Sequence, residues 1–132
     1  ANKRTDAYLD VVEQAGLSAL VREVEFVKPD DEKGAVVAKI LDENPDIDGI
    51  FAGDDTMAAI CLNVMKQRGL SAPDDIKVVG RTMTFMPDLT TVRQDIDRIG
   101  ELAAQSIIAL INGEKPESNI KLPVELIEGK TA

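Results

Sequence analysis

Segments of helical apolar spacing alternate along this chain with short extended runs, and that order narrows the choice of fold. In residues 4–15, Tyr8, Val11, Val12 and Ala15 fall at helical spacing, and Gly16 follows as a stop. REVEFV, residues 22–27, alternates charged residues with Val24 and Phe26, which predicts a strand at or near a sheet edge. Lys28-Pro29-Asp30 makes a turn and cap. A helix is expected from there to about Asn44, with Val36, Val37, Ile40 and Leu41 on its buried stripe and Pro45 ending it.

DGIFAG, residues 48–53, reads as a short strand buried on both faces. Asp54-Asp55-Thr56 caps a helix over about 55–68, which Gly69 stops. IKVVG (76–80) is a second buried strand, 81–88 is irregular and LTTV (89–92) is a short extended piece. A long helix is expected over about 97–112, with Ile99, Ala103, Ile107 and Leu110 turned inward and Gly113 after it, and IKLPVELI (120–127) closes the pattern. Strands separated by helices imply right-handed crossovers and a mainly parallel sheet. The expected fold class is therefore α/β, doubly wound, with helices on both faces. The 132 residues suffice for one such domain with a core, not comfortably for two.

The helix at 55–68 carries two apolar stripes. Ala58, Cys61, Leu62 and Met65 form one, and Met57, Ile60 and Val64 form the other. A helix on one face of a sheet needs only one. Either it is a wide core-facing helix, or its outer side is covered by another chain.

Composition excludes several chemistries. With no His, neither imidazole-based nucleophilic catalysis nor an imidazole metal site is available. The single Cys, Cys61, permits no internal disulfide and no thiolate zinc cluster, and it weakly favours a reducing, cytoplasmic setting. No metal is therefore expected, and no cofactor, since the nucleotide-binding runs GxGxxG and GxxxxGK[ST] do not occur. Net charge is −9, from 15 Lys and Arg against 24 Asp and Glu, and such a surface repels phosphate backbones and anionic membranes. No apolar run reaches the ~20 residues of a membrane span, and the opening ANKRTDAYLD turns polar at once, unlike a signal peptide.

In open α/β sheets ligands bind at the carboxyl ends of the strands. Three such ends are visible, at Gly53-Asp54-Asp55, Gly80-Arg81-Thr82 and Phe26-Val27-Lys28. Glycine at a strand end lets a ligand approach the backbone. Only one of Asp54 and Asp55 can cap the helix. The other is available to accept from ligand hydroxyls. Arg81 has two open roles, pairing with one of these aspartates or contacting a ligand. Arg4, ahead of the first apolar stripe, reads in isolation as a solvated charge. Two-carboxylate catalysis by Asp54 and Asp55 ranks low, since adjacent residues at a helix start diverge.

These residues also carry a resemblance. IDGIFAGDDTMAAICLNVMKQRGLSAPDDIKVVG, DLTTVRQDIDRIGELAAQSIIALINGE and LPVELIEGKTA together resemble the C-terminal part of the effector-binding core of LacI/GalR-type transcriptional repressors. KRTDAYLDVVEQAGL resembles the start of that core's second lobe. The likeness covers nearly the whole chain. It implies a periplasmic-binding-protein-like fragment of a two-lobed core, with residues 1–132 one unit in which about 93–115 belongs to the first lobe. Most of that lobe and a helix-turn-helix headpiece would lie outside this chain.

The resemblance further implies a cytoplasmic, non-enzymatic homodimer that closes over a sugar or sugar phosphate, with DNA bound only through the headpiece. By resemblance Arg4 and Asp54 are expected to contact the ligand, with Asp55 mainly structural, and the strand-end positions add Arg81, Thr82 and Phe26 as candidate contacts. The dimer interface is expected at Met57, Ile60, Cys61 and Val64. One departure stands out. Such repressors usually follow VVG with an aromatic and a ligand-binding Asp, whereas Arg81 and Thr82 stand here and the loop to LTTV is several residues shorter. Either the main hydroxyl acceptor is lost, or residues are missing from the loop. Two rival readings remain: a periplasmic sugar-binding protein of a transport system, and a doubly wound enzyme such as a phosphate-handling hydrolase.

Overall fold

The computed structural model describes residues 2–82 and 86–132. Its elements in chain order are α1 (Lys3–Gln14), α2 (Asp30–Glu43), β1 (Gly49–Phe51), α3 (Asp55–Gln67), β2 (Lys77–Arg81), β3 (Thr90–Gln94), α4 (Ile96–Ile111) and β4 (Val124–Ile127). The strands form one mixed sheet in the order β1-β2-β3-β4. β1 runs parallel to β2 with Ile50 opposite Val78, and β2 runs parallel to β3 with Gly80 opposite Thr91. β4 returns antiparallel to β3, Leu126 facing Val92. The architecture is the α/β, mainly parallel one that the alternation implies.

Side-chain caps set where three of the helices begin. Asn2 accepts from the Arg4 amide, Asp54 from Met57 and Asp95 from Arg98. Gly16, Gly69 and Gly113 each take positive φ just past a helix, a conformation that costs an L side chain energy but not glycine.

The core lies between α3, α2 and the sheet. Ala58, Cys61, Val64 and Met65 of α3 pack with Val37 and Leu41 of α2, Val78 of β2, and Ile76 and Leu89 from the loops. The second stripe of α3 therefore has a cover within the chain. Gly34 of α2 sits so close that a Cβ there would lie 3.6 Å from Val64 Cγ2 and 4.0 Å from Ile60 Cγ2. Cys61 and Val64 are buried, and Met57 and Ile60 are half-buried against the core. The expected dimer interface is corrected in part: Cys61 and Val64 are core residues packed with α2, whereas Met57 and Ile60 keep part of their surface exposed.

Three further expectations change. Residues 22–27 form no strand. They pair with no strand of the sheet, and a lone extended segment has no ladder to join. β1 is not buried on both faces. It is the edge of the sheet, and Phe51 is 47% exposed. α4 has the expected extent but buries no residue, and Ile99, Ala103, Ile107 and Leu110 are all exposed. An amphipathic stripe shows that a helix has an inward side; it does not supply the surface that covers it.

The C-terminal residues have a role that periodicity does not reveal. The Thr131 hydroxyl accepts from the Thr90 amide at 3.0 Å and donates to the Val78 carbonyl at 2.7 Å. Thr131 thereby ties the start of β3 to β2. Gly129 must be glycine-sized, since a Cβ would stand 2.3 Å from the Asp88 carbonyl oxygen.

Candidate functional site

β1 and β2 both point their carboxyl ends at the start of α3, and the candidate residues gather there. β1 leads through Ala52 and Gly53 to Asp54, the N-cap of α3, whose Oδ1 accepts from the Met57 amide at 2.8 Å. The cap satisfies a backbone donor that the first helical turn leaves unpaired. Asp54 is half-buried, and only one of its carboxylate oxygens serves the cap.

Asp55 points the other way. It is fully buried, its Oδ1 accepts the Thr91 hydroxyl at 2.7 Å, and its Oδ2 has no hydrogen-bond partner among the described residues. Gly80 makes room for it: a Cβ at Gly80 would lie 2.3 Å from Asp55 Oδ1 and 2.9 Å from Leu89 Cδ2. The small residue at this strand end serves the packing of Asp55, whereas approach of a ligand was the expected reason. Gly53, by contrast, has open space where its Cβ would be.

Gly53 is also where two arginines meet. Arg4 Nη1, from the first turn of α1, donates to the Gly53 carbonyl at 3.1 Å, and Arg81 Nε, from the end of β2, donates to the same oxygen at 3.0 Å. Of the two open roles for Arg81, pairing with an aspartate is not the one it takes, since it hydrogen-bonds neither Asp54 nor Asp55. Burial pushes the Arg81 pKa below the usual guanidinium value, and the Arg4 charge adds to this. The charges of Asp54 and Asp55 act in the opposite direction.

Thr82 and Phe26 stand apart from this cluster. Thr82 adopts φ +85°, a strained conformation for a β-branched residue. Its amide donates to the Val92 carbonyl and its hydroxyl to Gln94 Oε1 at 3.2 Å, so it is engaged with β3. Phe26 is 84% exposed, and its ring is covered on one side by the Lys33 ammonium, 5.5 Å from the centroid.

An open groove of about 1450 Å³ runs from these strand ends along the outer edge of β1 and beneath residues 17–26. Arg4, Phe26, Asp54 and Arg81 all line it, and Thr82 does not. Tyr8 also lines it, one helical turn beyond Arg4 on the same face of α1. That i, i+4 spacing is a signal in the sequence for Tyr8, which reads there only as part of an apolar stripe. The convergence on Gly53 leaves no such signal, because the acceptor is a backbone carbonyl. Among the described residues no group of three or more His, Cys, Asp or Glu could hold a metal ion, and no helix is long and apolar enough to cross a membrane.

A mixed α/β sheet with polar groups gathered at its strand ends is the periplasmic-binding-protein-like class of fold. The family described as periplasmic binding protein-like domain matches residues 1–132, and the chain belongs to it. Relatives include the ribose operon repressor of Halalkalibacterium halodurans, 30% identical over 99% of this chain and 41% of the repressor. The sucrose operon repressor of Pediococcus pentosaceus is 32% identical over 99% of the chain and 42% of its own length. A LacI family regulator from Arthrobacter sp. FB24, solved in complex with lactose, superposes with a TM-score of 0.83 at 25% identity, over 99% of this chain and 52% of that one. The chain thus resembles the effector-binding part of LacI-family regulators and spans about two fifths of the length of the repressors it matches.

Proposed function

We propose that this chain is part of the ligand-sensing core of a bacterial transcriptional repressor, one that binds a small sugar-like effector between two lobes and carries out no reaction. The observation that carries this reading is the meeting of Arg4, Asp54 and Arg81 at the carboxyl ends of β1 and β2, on the rim of an open groove. Asp54 offers an acceptor for ligand hydroxyls, and the two guanidinium groups offer donors. The relatives' names favour the regulatory reading over transport or catalysis: two are operon repressors, and the CelR regulator, superposing with a TM-score of 0.80, was solved with cellobiose.

The mechanism in this proposal is a population shift. A ligand held between two lobes favours one relative orientation, and that preference is transmitted to a DNA-binding headpiece outside this chain. The net charge of −9 suits a division in which this part senses and another part contacts DNA. Exposed Ile99, Ile107 and Leu110 on α4 suit its assignment to the first lobe, packed against residues that this chain lacks. A cytoplasmic homodimer belongs to the same proposal, through a surface that excludes buried Cys61 and Val64. The test is a thermal-shift screen of the full-length protein against sugars and sugar phosphates, followed by operator binding with and without each hit. An effector stabilises the protein by RT ln(1 + [L]/Kd) and changes its operator affinity, downward for an inducer and upward for a co-repressor. A protein whose stability and operator affinity no sugar changes overturns the proposal.

A further inference from the structure

We infer that the effector taken at this site carries an anionic group on a polyol, a phosphate ester or a carboxylate, held by the guanidinium groups of Arg4 and Arg81. This deepens the reading given under Proposed function and rests on it.

Three of the six arginines in this chain pair with carboxylates, and Arg22 donates to the carbonyl of its neighbour Val21. Arg68 bonds Asp42 at 2.9 Å, Arg93 bonds Glu125 at 2.7 Å and Arg98 bonds Glu101 within its own helix. With 24 acidic residues against 15 basic ones, partners are plentiful. Yet Arg4 and Arg81 form no ion pair among the described residues, and both donate to the neutral carbonyl of Gly53, at 3.1 and 3.0 Å. Two like charges from distant parts of the chain are thereby brought onto one oxygen. Each guanidinium has five N–H donors, and that bond uses one. The donors left over have a fixed fork geometry that matches carboxylate and phosphate oxygens.

The two cations repel each other across the shared carbonyl. Arg81 is half-buried, and both its burial and the nearby Arg4 charge disfavour its charged form. Asp54 and Asp55 act against this without bonding Arg81, whereas a bound anion would bond both guanidinium groups directly and offset their repulsion. Asp54 sets the other half of the preference. Its Oδ1 is committed to the Met57 amide, and its second oxygen is suited to hydroxyls rather than to another anion. A ligand with hydroxyls at one end and negative charge at the other meets both demands.

The test is isothermal titration of the full-length protein with three matched sets. These are neutral sugars, their phosphate esters (glucose 6-phosphate, ribose 5-phosphate) and their acids (gluconate, glucuronate). Binding confined to one of the two charged sets is expected, and which set responds tells phosphate from carboxylate. Affinity should drop about tenfold or more in Arg81→Gln, as for loss of a charge-assisted hydrogen bond, and fall with rising salt. Should Arg81→Gln fold poorly, Arg4→Gln, on the exposed side of α1, carries the same expectation. A neutral sugar that binds as tightly as its charged counterparts, in wild type and in Arg81→Gln, overturns the inference and leaves the repressor reading standing. Absence of binding and of operator release across all three sets removes both.

Discussion

Asp55 and Thr91 meet across the interface between α3 and the sheet, carboxylate Oδ1 to hydroxyl at 2.7 Å, and both side chains are fully buried. Since Oδ2 has no partner among the described residues, the Thr91 hydroxyl is the one hydrogen bond that Asp55's side chain makes there. Thr91→Val keeps the volume of the residue and removes that bond. We expect a loss of about 1.5–3 kcal/mol, the range for a hydrogen bond to a charged group. The urea midpoint of the full-length protein reads it. A shift equivalent to less than about 0.5 kcal/mol, the spread of neutral surface substitutions, would show that the pair contributes little.

Asp54 joins two roles that substitution can separate. Asp54→Ala removes the cap on the Met57 amide and should cost about 1 kcal/mol of stability, together with the ligand response. Asp54→Ser keeps an acceptor at the cap, so its melting temperature should stay near wild type while the ligand-induced shift is lost. Retention of the full shift in Asp54→Ser removes Asp54 from the site.

Asp75 adds an acid-side dependence. Its Oδ2 accepts from the Ser71 amide at 2.7 Å and from the Ser71 hydroxyl at 2.9 Å, and these bonds hold its pKa below the ordinary value of 3.8. A depressed folded-state pKa contributes stability that is present above the unfolded value and lost as pH falls through the folded one. Asp75→Asn should therefore lower stability at neutral pH and flatten the profile below about pH 4, where the wild type has itself lost this contribution. An unchanged acid limb in thermal melts from pH 5 to pH 3 contradicts this.

Cys61 is buried in the core, and burial pushes its thiol up to about 11. The thiolate is the nucleophile, so little of it exists at pH 8 and none is accessible. The folded protein should react with a disulfide reagent only at the rate of unfolding, and quickly in urea. Rapid reaction without denaturant would place Cys61 at the surface.

The elements that periodicity and capping specify were legible in advance. Apolar spacing with glycine or proline stops placed all four helices to within a residue or two, and Asp54-Asp55-Thr56 marked the start of α3. The family signal placed Arg4 and Asp54 among the candidates and the strand-end position added Arg81, and all three line the groove. Other residues were not legible. Val24 and Phe26 alternate as a strand does, yet a strand exists only with a partner, and these residues have none. Met57, Ile60 and Val64 form a second stripe whether its cover is another chain or α2; only packing tells the two apart.

What the sequence alone determined is where each backbone segment coils or extends and which of its sides is apolar, because those follow from neighbours a few residues away. The tertiary structure decided which surface covers each apolar side, why Gly80 must be small, and that Arg4 and Arg81 share the carbonyl of Gly53. Those outcomes depend on groups far apart in the chain, and the shared acceptor is a backbone atom that every residue possesses.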